Sequence, residues 1–434
     1  MRNTPLFRGL LAASVALAIA GCTDRGANSP QAETAAASSV EASAAQEPPK
    51  LERVVMLMRH GVRPPTKPKV APDGVADQPW PAWPVGYGEL TGHGFDAVER
   101  LGAWDIAQWR QRGLLAASGC PAPGDVEVAA SSKSRTQDTA RALVAGMWPG
   151  CAVDIAFPAS PGADVEFHPL DAGVMPIDPD EAFRAMQAMA PPGGMEAELR
   201  ARAPLFALLN QALGCQAGQA CDISRMTPGI VRNADDRPDV GDPFGLASTI
   251  SQTFLLEYLE GKPMEEVAWG RLTPEQIGQL LEFHSLKFRY EGRTPYVAAR
   301  AASPLATRML AAMEDGPRLT VLVGHDTNIA DLGGFLDLHW TVPGYPRDDP
   351  PPGGALGFEV LSDAKGQQFV RAFYRSQTMP QVRELQTLDA SNPAALEYLP
   401  IPGCAEPCSL DRFGQMVRAK LVAPLPAAAA ATTH

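Results

Sequence analysis

The chain has 434 residues, of which 45% are hydrophobic, and a formal net charge of −12. That length exceeds one average domain, and the apolar content is ample for a core. The acidic balance argues against nucleic acid as a partner and against a generally basic surface, so a local cluster of arginines reads as an anion site.

The N-terminus reads as an export signal: Arg2 and Arg8 supply a positive region, and Leu10 to Ala20 a short apolar core. That core is too short for a transmembrane helix. It ends in Ile19-Ala20-Gly21-Cys22, which resembles the lipobox of bacterial lipoproteins, with cleavage before Cys22 and a lipid on its thiol. The alternative is an ordinary signal peptide with an incidental cysteine. Thr23 rather than Asp follows the cysteine, which in lipoproteins points to the outer membrane. The expected location is the periplasmic side of a bacterial envelope, with this lipid as the sole membrane attachment. Residues 1–21 are thus a leader. Residues 22–50 are a flexible tether, because beyond Val40 they carry no larger aliphatic side chain to offset ordering entropy.

Val54 to Met58 is an unbroken apolar run, short enough for a strand buried on both faces. It stops at Arg59-His60-Gly61, and Pro64 and Pro65 forbid an immediate helix. Two arginines and a histidine therefore arrive at the C-terminal end of a core strand, where open α/β sheets hold ligands. Arg59 and Arg63 offer planar forks that match phosphate oxygens. Between two guanidiniums the pKa of His60 is pushed down, leaving a neutral nucleophile at mildly acidic pH. The bland alternative is a strand ending in a solvated basic loop.

Trp80-Pro81-Ala82-Trp83-Pro84 forms a rigid aromatic loop, and Thr91 or Gly92 opens a helix through Trp109. Asp125 to Ala130 is a second strand candidate. It runs into Ser131-Ser132-Lys133-Ser134-Arg135 and a helix with Thr139, Leu143 and Met147 on one face. Between about 155 and 290 strands are scarce, and helices are expected over Pro179–Met189, Glu196–Leu213, Pro243–Leu259 and Pro274–Tyr290. Leu319 to Gly324 is a third strand, ending in His325-Asp326-Thr327-Asn328 and a short helix that leads to Gly333-Gly334. A helix N-terminus at that point favours an anion, His325 can donate to it, and Asp326 is the candidate proton donor. Leu356–Leu361 and Phe369–Tyr374 suggest a terminal hairpin, and residues 423–434 a disordered tail. His93, His168, His284, His339 and His434 are scattered singly and read as structural or surface residues.

Of seven cysteines, six remain once Cys22 is set aside, an even number in an exported chain. Cys215 with Cys221 and Cys404 with Cys408 can each close a small loop. Cys120 with Cys151 would bracket one strand–helix unit. A metal site is the weaker reading, since no histidine lies near these cysteines in sequence.

The string Arg-His-Gly-x-Arg-x-Pro resembles the signature of the histidine acid phosphatases, a branch of the histidine phosphatase superfamily. His-Asp-Thr-Asn at 325–328 resembles the C-terminal signature of their phytase-like subgroup. The similarity runs from about 51 to 422 and is greatest to bacterial periplasmic phytases. It includes the aromatic loop at 80–84, Trp269-Gly270-Arg271, Arg293-Thr294-Pro295, Trp340 to Gly344 and Pro351 to Gly354. It implies a Rossmann-like α/β domain (51–154 and 291–422) with an inserted, smaller helical domain (155–290) capping the pocket. Carried over residue by residue, Arg59, Arg63, Arg135 and His325 bind the scissile phosphate, His60 is the nucleophile and Asp326 the acid. Thr66, Lys67 and Thr327 contact substrate. Two positions depart from the pattern: Gln252 aligns with a pocket glutamate of the phytases, and Thr249 with a methionine.

The implied activity is hydrolysis of small-molecule phosphomonoesters through a phosphohistidine, without metal or cofactor, by a monomer, with phytate as the leading substrate. The alternatives are a glucose-1-phosphatase, a broad acid phosphatase, a phosphate-transferring mutase and a non-catalytic phosphate-binding lipoprotein. No Gly-x-Ser-x-Gly elbow, Walker loop or His-Glu-x-x-His competes.

Overall fold

The computed structural model describes residues 48–160 and 164–426. The leader, Cys22, most of the tether, His434 and the end of the tail lie outside the described residues. The first half contains β1 Lys50–Arg59, α1 Gly92–Gln111, β2 Val126–Ala130, α2 Ser134–Met147, β3 Ile155–Ala156, α3 Pro179–Ala188, α4 Gly194–Ala201 and α5 Ala203–Ala212. There follow β4 Ile230–Arg232, β5 Pro238–Val240, α6 Phe244–Leu259, α7 Pro274–Leu280, α8 Glu282–Glu291, α9 Pro295–Asp315, β6 Leu319–Gly324 and α10 Asp326–Leu336. The chain closes with β7 Ala355–Ser362, β8 Gln368–Ser376, α11 Met379–Arg383, β9 Ala395–Leu399, β10 Cys408–Ser409 and α12 Leu410–Lys420.

The apolar run of β1 forms the middle of an eight-stranded mixed sheet of order β10-β8-β7-β1-β6-β2-β3, with β9 on β8. β1, β6, β2 and β3 run parallel, while β7 pairs antiparallel to β1 and extends the sheet through β8. Side chains alternate across a strand. Val54, Met56 and Met58 therefore join a core with α1 and α2, including Leu101 and Leu143. Val55 and Leu57 join the core on the other face, with Phe254, Phe283, Leu305, Ile329 and Phe413. Helices thus cover both faces, as a sheet with apolar residues on each face requires. This is the α/β architecture that the sequence suggests.

Several elements differ from the sequence reading. The helix expected over 196–213 is two helices with a break at Arg202, because Pro204 has no N–H to bond the Arg200 carbonyl. The helix expected over 274–290 also breaks, at Leu281, where the His284 N–H bonds the Leu281 carbonyl three residues back, tightening the turn. α10 continues through Gly333-Gly334 instead of ending before them. A Cβ at Gly333 would lie 2.8 Å from Trp340, and one at Gly334 2.5 Å from the Arg293 backbone, so the glycines mark close packing. The hairpin β7–β8 is not terminal, since β9 and β10 both add to β8. A small hairpin, β4–β5, interrupts the helical stretch. All three expected disulfides are present: Cys120–Cys151, Cys215–Cys221 and Cys404–Cys408.

Candidate active site

Three parallel strands end side by side, and each end delivers part of the site. The His60 N–H bonds the Gly324 carbonyl at 3.0 Å, and the Ser131 N–H bonds Val323 at 2.9 Å, which locks the ends of β1, β6 and β2 in register. His60 is almost wholly buried. Its Nδ1 lies 2.9 Å from the Gly61 carbonyl. A carbonyl only accepts, so Nδ1 carries the proton and Nε2 presents its lone pair. That lone pair faces the guanidinium of Arg63, whose Nε is 3.4 Å away. Burial first, then Arg63, Arg135 and Arg59, hold the His60 pKa well below the ordinary imidazole range. The direction matches the sequence reading, with burial the larger cause.

Arg59 is fully buried. Its guanidinium donates to the Pro350 carbonyl (2.6 Å) and Gln252 Oε1 (3.1 Å), and pairs with Asp326 Oδ2 at 2.8 Å. Arg63 donates to the Pro64 carbonyl at 2.9 Å. Burial pushes its pKa down to about 9, with Arg135 and Arg59 adding to the fall and Asp326 opposing it. Arg135, in the first turn of α2, is lowered by burial and by Arg59, again against Asp326. Among the described residues neither Arg63 nor Arg135 forms an ion pair. The arrangement is an anion cradle with charge to spare.

His325 caps α10, its N–H accepted by Asn328 Oδ1 at 2.9 Å. Its Nδ1 lies 3.3 Å from Arg135 Nη2, and its Nε2 lies 3.1 Å from Ser131 Oγ. Ser131 in turn donates to Asp164 Oδ2 at 2.6 Å, and Asp164 is completely buried. With its hydroxyl proton on Asp164, Ser131 accepts Nε2–H, so Nδ1 is the ring nitrogen open to the cradle. Burial and Arg135 hold His325 well below the ordinary range. In that neutral state Nδ1 accepts from Arg135. Donating to a bound anion, as the sequence suggests, requires His325 to take up a proton.

Asp326 opens α10 with its carboxyl toward Arg59 and, 3.7 Å away, His284 Nε2. Burial disfavours its charge, but Arg59, His284 and His60 outweigh this and hold its pKa well below the carboxylate range. With the cradle empty, the candidate acid is ionised. His284 is the residue the sequence reading missed: it is neither surface nor inert, but buried against the site with Asp349 at its other nitrogen. One signal was available, since His284, Lys287, Phe288 and Glu291 recur at helical spacing on one face of α8.

Arg63, His284 and Asp326 line a cleft of about 440 Å³, a size that suits a small ligand. It is also lined by Thr66, Lys67 and Lys69, by Thr249 and Gln252 of α6, and by Lys287, Glu291 and Thr327. Lys67 has no ion-pair partner among the described residues. Lys287 is held by Asp239 (2.8 Å) and Glu291 (2.5 Å).

The profile of the histidine phosphatase superfamily (branch 2) matches residues 50–375. The chain belongs to that family. It is 34% identical over 401 residues to phytase AppA of Escherichia coli, covering 85% of this chain and 91% of that one. To glucose-1-phosphatase of Salmonella typhimurium it is 30% identical over 415 residues, covering 88% and 95%. The solved structure of Hafnia alvei phytase in complex with myo-inositol hexakis sulphate superposes with a TM-score of 0.80 at 33% identity, over 87% of this chain and 99% of that one. This histidine phosphatase is accordingly a phosphomonoester hydrolase.

Proposed function

We propose that this histidine phosphatase is a phytase that works through a phosphohistidine on His60. The observation that carries the reading is the position of His60 Nε2 among three guanidiniums, with Asp326 beside them and Lys67, without an ion-pair partner among the described residues, in the adjoining cleft. Arg59, Arg63, Arg135 and a protonated His325 would hold the three non-bridging oxygens, stabilising charge as it develops. Nε2 attacks phosphorus in line, the P–O bond to the leaving group breaks, and protonated Asp326 gives its proton to the departing alkoxide. Water then attacks the phosphohistidine, Asp326 takes the water proton, and His60 leaves as neutral imidazole. A bound phosphate supplies negative charge that raises the proton affinity of Asp326, and the need for that proton predicts activity at acidic pH.

A substrate with several phosphates gains from a second cation, and Lys67 and Thr66, which line the same cleft, would meet a neighbouring phosphate. Gln252 fixes Arg59 through its amide oxygen, where a glutamate would add negative charge to the cradle wall. The deciding experiment is kcat/KM for phytate and for glucose 1-phosphate from pH 3 to 8, in the wild type and in Gln252→Glu. Preference for phytate under acidic conditions is expected. Preference for glucose 1-phosphate at every pH would make the protein a sugar-phosphate phosphatase with the same chemistry. The proposal extends to export, with a lipid on Cys22, on the strength of the Ile-Ala-Gly-Cys string. Fatty-acid labelling that is absent from the wild type would overturn the anchor.

A further inference from the structure

Three acid–base groups stand in line beside the cleft. Asp349 Oδ1 lies 2.6 Å from His284 Nδ1, and His284 Nε2 lies 3.7 Å from Asp326 Oδ2. Asp349 is completely buried, its Oδ2 makes no hydrogen bond, and the Trp340 indole N–H pins its main-chain carbonyl at 2.9 Å. The Phe288 ring packs edge-on to the imidazole, with centroids 4.5 Å apart. A histidine needed only for packing would be satisfied by Asp349 and Phe288. Its second nitrogen instead points at the candidate acid.

We propose that His284, oriented by Asp349, is a positioning residue for Asp326 and that the two share one proton. This deepens the phosphohistidine reading and rests on it.

In the empty site Arg59, 2.8 Å from Asp326, favours the carboxylate. The proton then sits on His284, which donates Nδ1–H to Asp349 and points Nε2–H at Asp326 across 3.7 Å. Burial opposes this charge, but Asp349 and Asp326 outweigh it and raise the His284 pKa. The other charged or titratable groups around the triad are Arg59, His60 and Arg63 from β1 and its loop, Arg135 from α2, His325 before α10, Lys287 and Glu291 from α8, Tyr345 before β7 and Tyr374 from β8. When a phosphate dianion enters, Arg59 is shared with its oxygens and the added negative charge raises the proton affinity of Asp326. The Nε2 proton passes to Asp326 Oδ2, and His284 becomes neutral with Nδ1–H still on Asp349. Asp326 then protonates the alkoxide as the P–O bond breaks. Hydrolysis returns a proton from water to Asp326, and phosphate release returns it to His284. The gap of 3.7 Å must shorten for transfer, as catalytic contacts in empty sites commonly do.

The test uses Asp349→Asn, which keeps shape and removes the charge, with His284→Gln as a second variant. The readouts are kcat and KM against pH for glycerol 2-phosphate, a poor leaving group, and p-nitrophenyl phosphate, a good one. Asp349→Asn should move the basic limb of kcat on glycerol 2-phosphate down by about one pH unit, with little change in KM or on the aryl ester. His284→Gln should lose at least about tenfold on the alkyl ester and far less on the aryl one. An unmoved basic limb, or equal losses on both esters, would overturn the shared proton. Acid-quench trapping separates the two proposals. Wild type without phosphohistidine sinks the underlying mechanism, whereas phosphohistidine with an unmoved limb sinks only the role of His284.

Discussion

Arg135→Met separates the cost of the cradle from its use. Arg135 has no carboxylate partner among the described residues, its Nε is buried without a hydrogen bond, and burial and Arg59 both oppose its charge. Methionine keeps most of the apolar stem and removes the cation. In the empty protein this relieves repulsion, so the melting temperature should stay level or rise. In the transition state it removes one cation from the transferring phosphoryl group. A unit charge pair near 4 Å at an effective dielectric constant of about 20 is worth about 4 kcal/mol. Losing one donor to a developing oxyanion costs about 2.7–4 kcal/mol in measured cases. At about 1.4 kcal/mol per tenfold, kcat/KM should fall by about two to three orders of magnitude. The assay is kcat/KM on p-nitrophenyl phosphate, with thermal melts in the presence and absence of inorganic phosphate. The wild type should be stabilised by phosphate and the variant much less, because ligand stabilisation follows affinity for the native state. A melting temperature that falls by more than about 5 °C, a shift that for a chain of this size exceeds 1 kcal/mol, with less than tenfold loss of kcat/KM, would show that Arg135 supports the fold and not the anion.

Three further outcomes are expected. Asp326→Asn should slow alkyl phosphates by at least about a hundredfold, and aryl phosphates less, since a phenolate leaves without a proton; equal losses would remove Asp326 as the acid. Ser131→Ala cuts the link from His325 to Asp164, leaving buried polar atoms unpaired at a cost of about 1–3 kcal/mol, so an unchanged urea midpoint would show that the chain of hydrogen bonds carries no stability. His60→Gln bears on pH. A histidine whose folded pKa is lowered binds its proton in the unfolded chain first, so stability falls as pH drops from about 6.5 toward the folded pKa, by up to about 1.4 kcal/mol per unit. The variant should lose less stability than the wild type between pH 7 and 5, and parallel curves would contradict a buried, neutral His60.

What the sequence revealed was local. An apolar run such as Val54–Met58 reports a strand, and the residues just past it, Arg59, His60 and Arg63, report what the strand end presents. Three such ends, at 59, 135 and 325, could be read separately and assigned to one site. The alternation of β1 between two cores, and the closure of small loops by Cys215–Cys221 and Cys404–Cys408, follow from spacing too. What stayed hidden depends on partners brought together by packing. His284 meets Asp349 and Asp326, and Ser131 meets Asp164, only after helices and loops have docked. Neither pairing leaves a periodic trace. Asp239, which pairs with Lys287 across the fold, is equally invisible in sequence. Gly333-Gly334 misled because a glycine pair suggests a helix end, whereas here Trp340 and Arg293 press on the helix and exclude a side chain.

The strand that ends at His60 is the first of the described sheet to be made, yet both its neighbours are made late. Val54 sits opposite Leu319 on one side and Glu359 on the other. Until β6 and β7 have been synthesised, Val54 to Met58 has neither of its sheet partners and stands as an apolar segment exposed to misassociation. The three strand ends of the site likewise come together only when β6 enters between β1 and β2. A nascent chain therefore has no assembled anion cradle, and a truncated one that stops before β6 never acquires it. Activity therefore waits on the entry of β6 between β1 and β2.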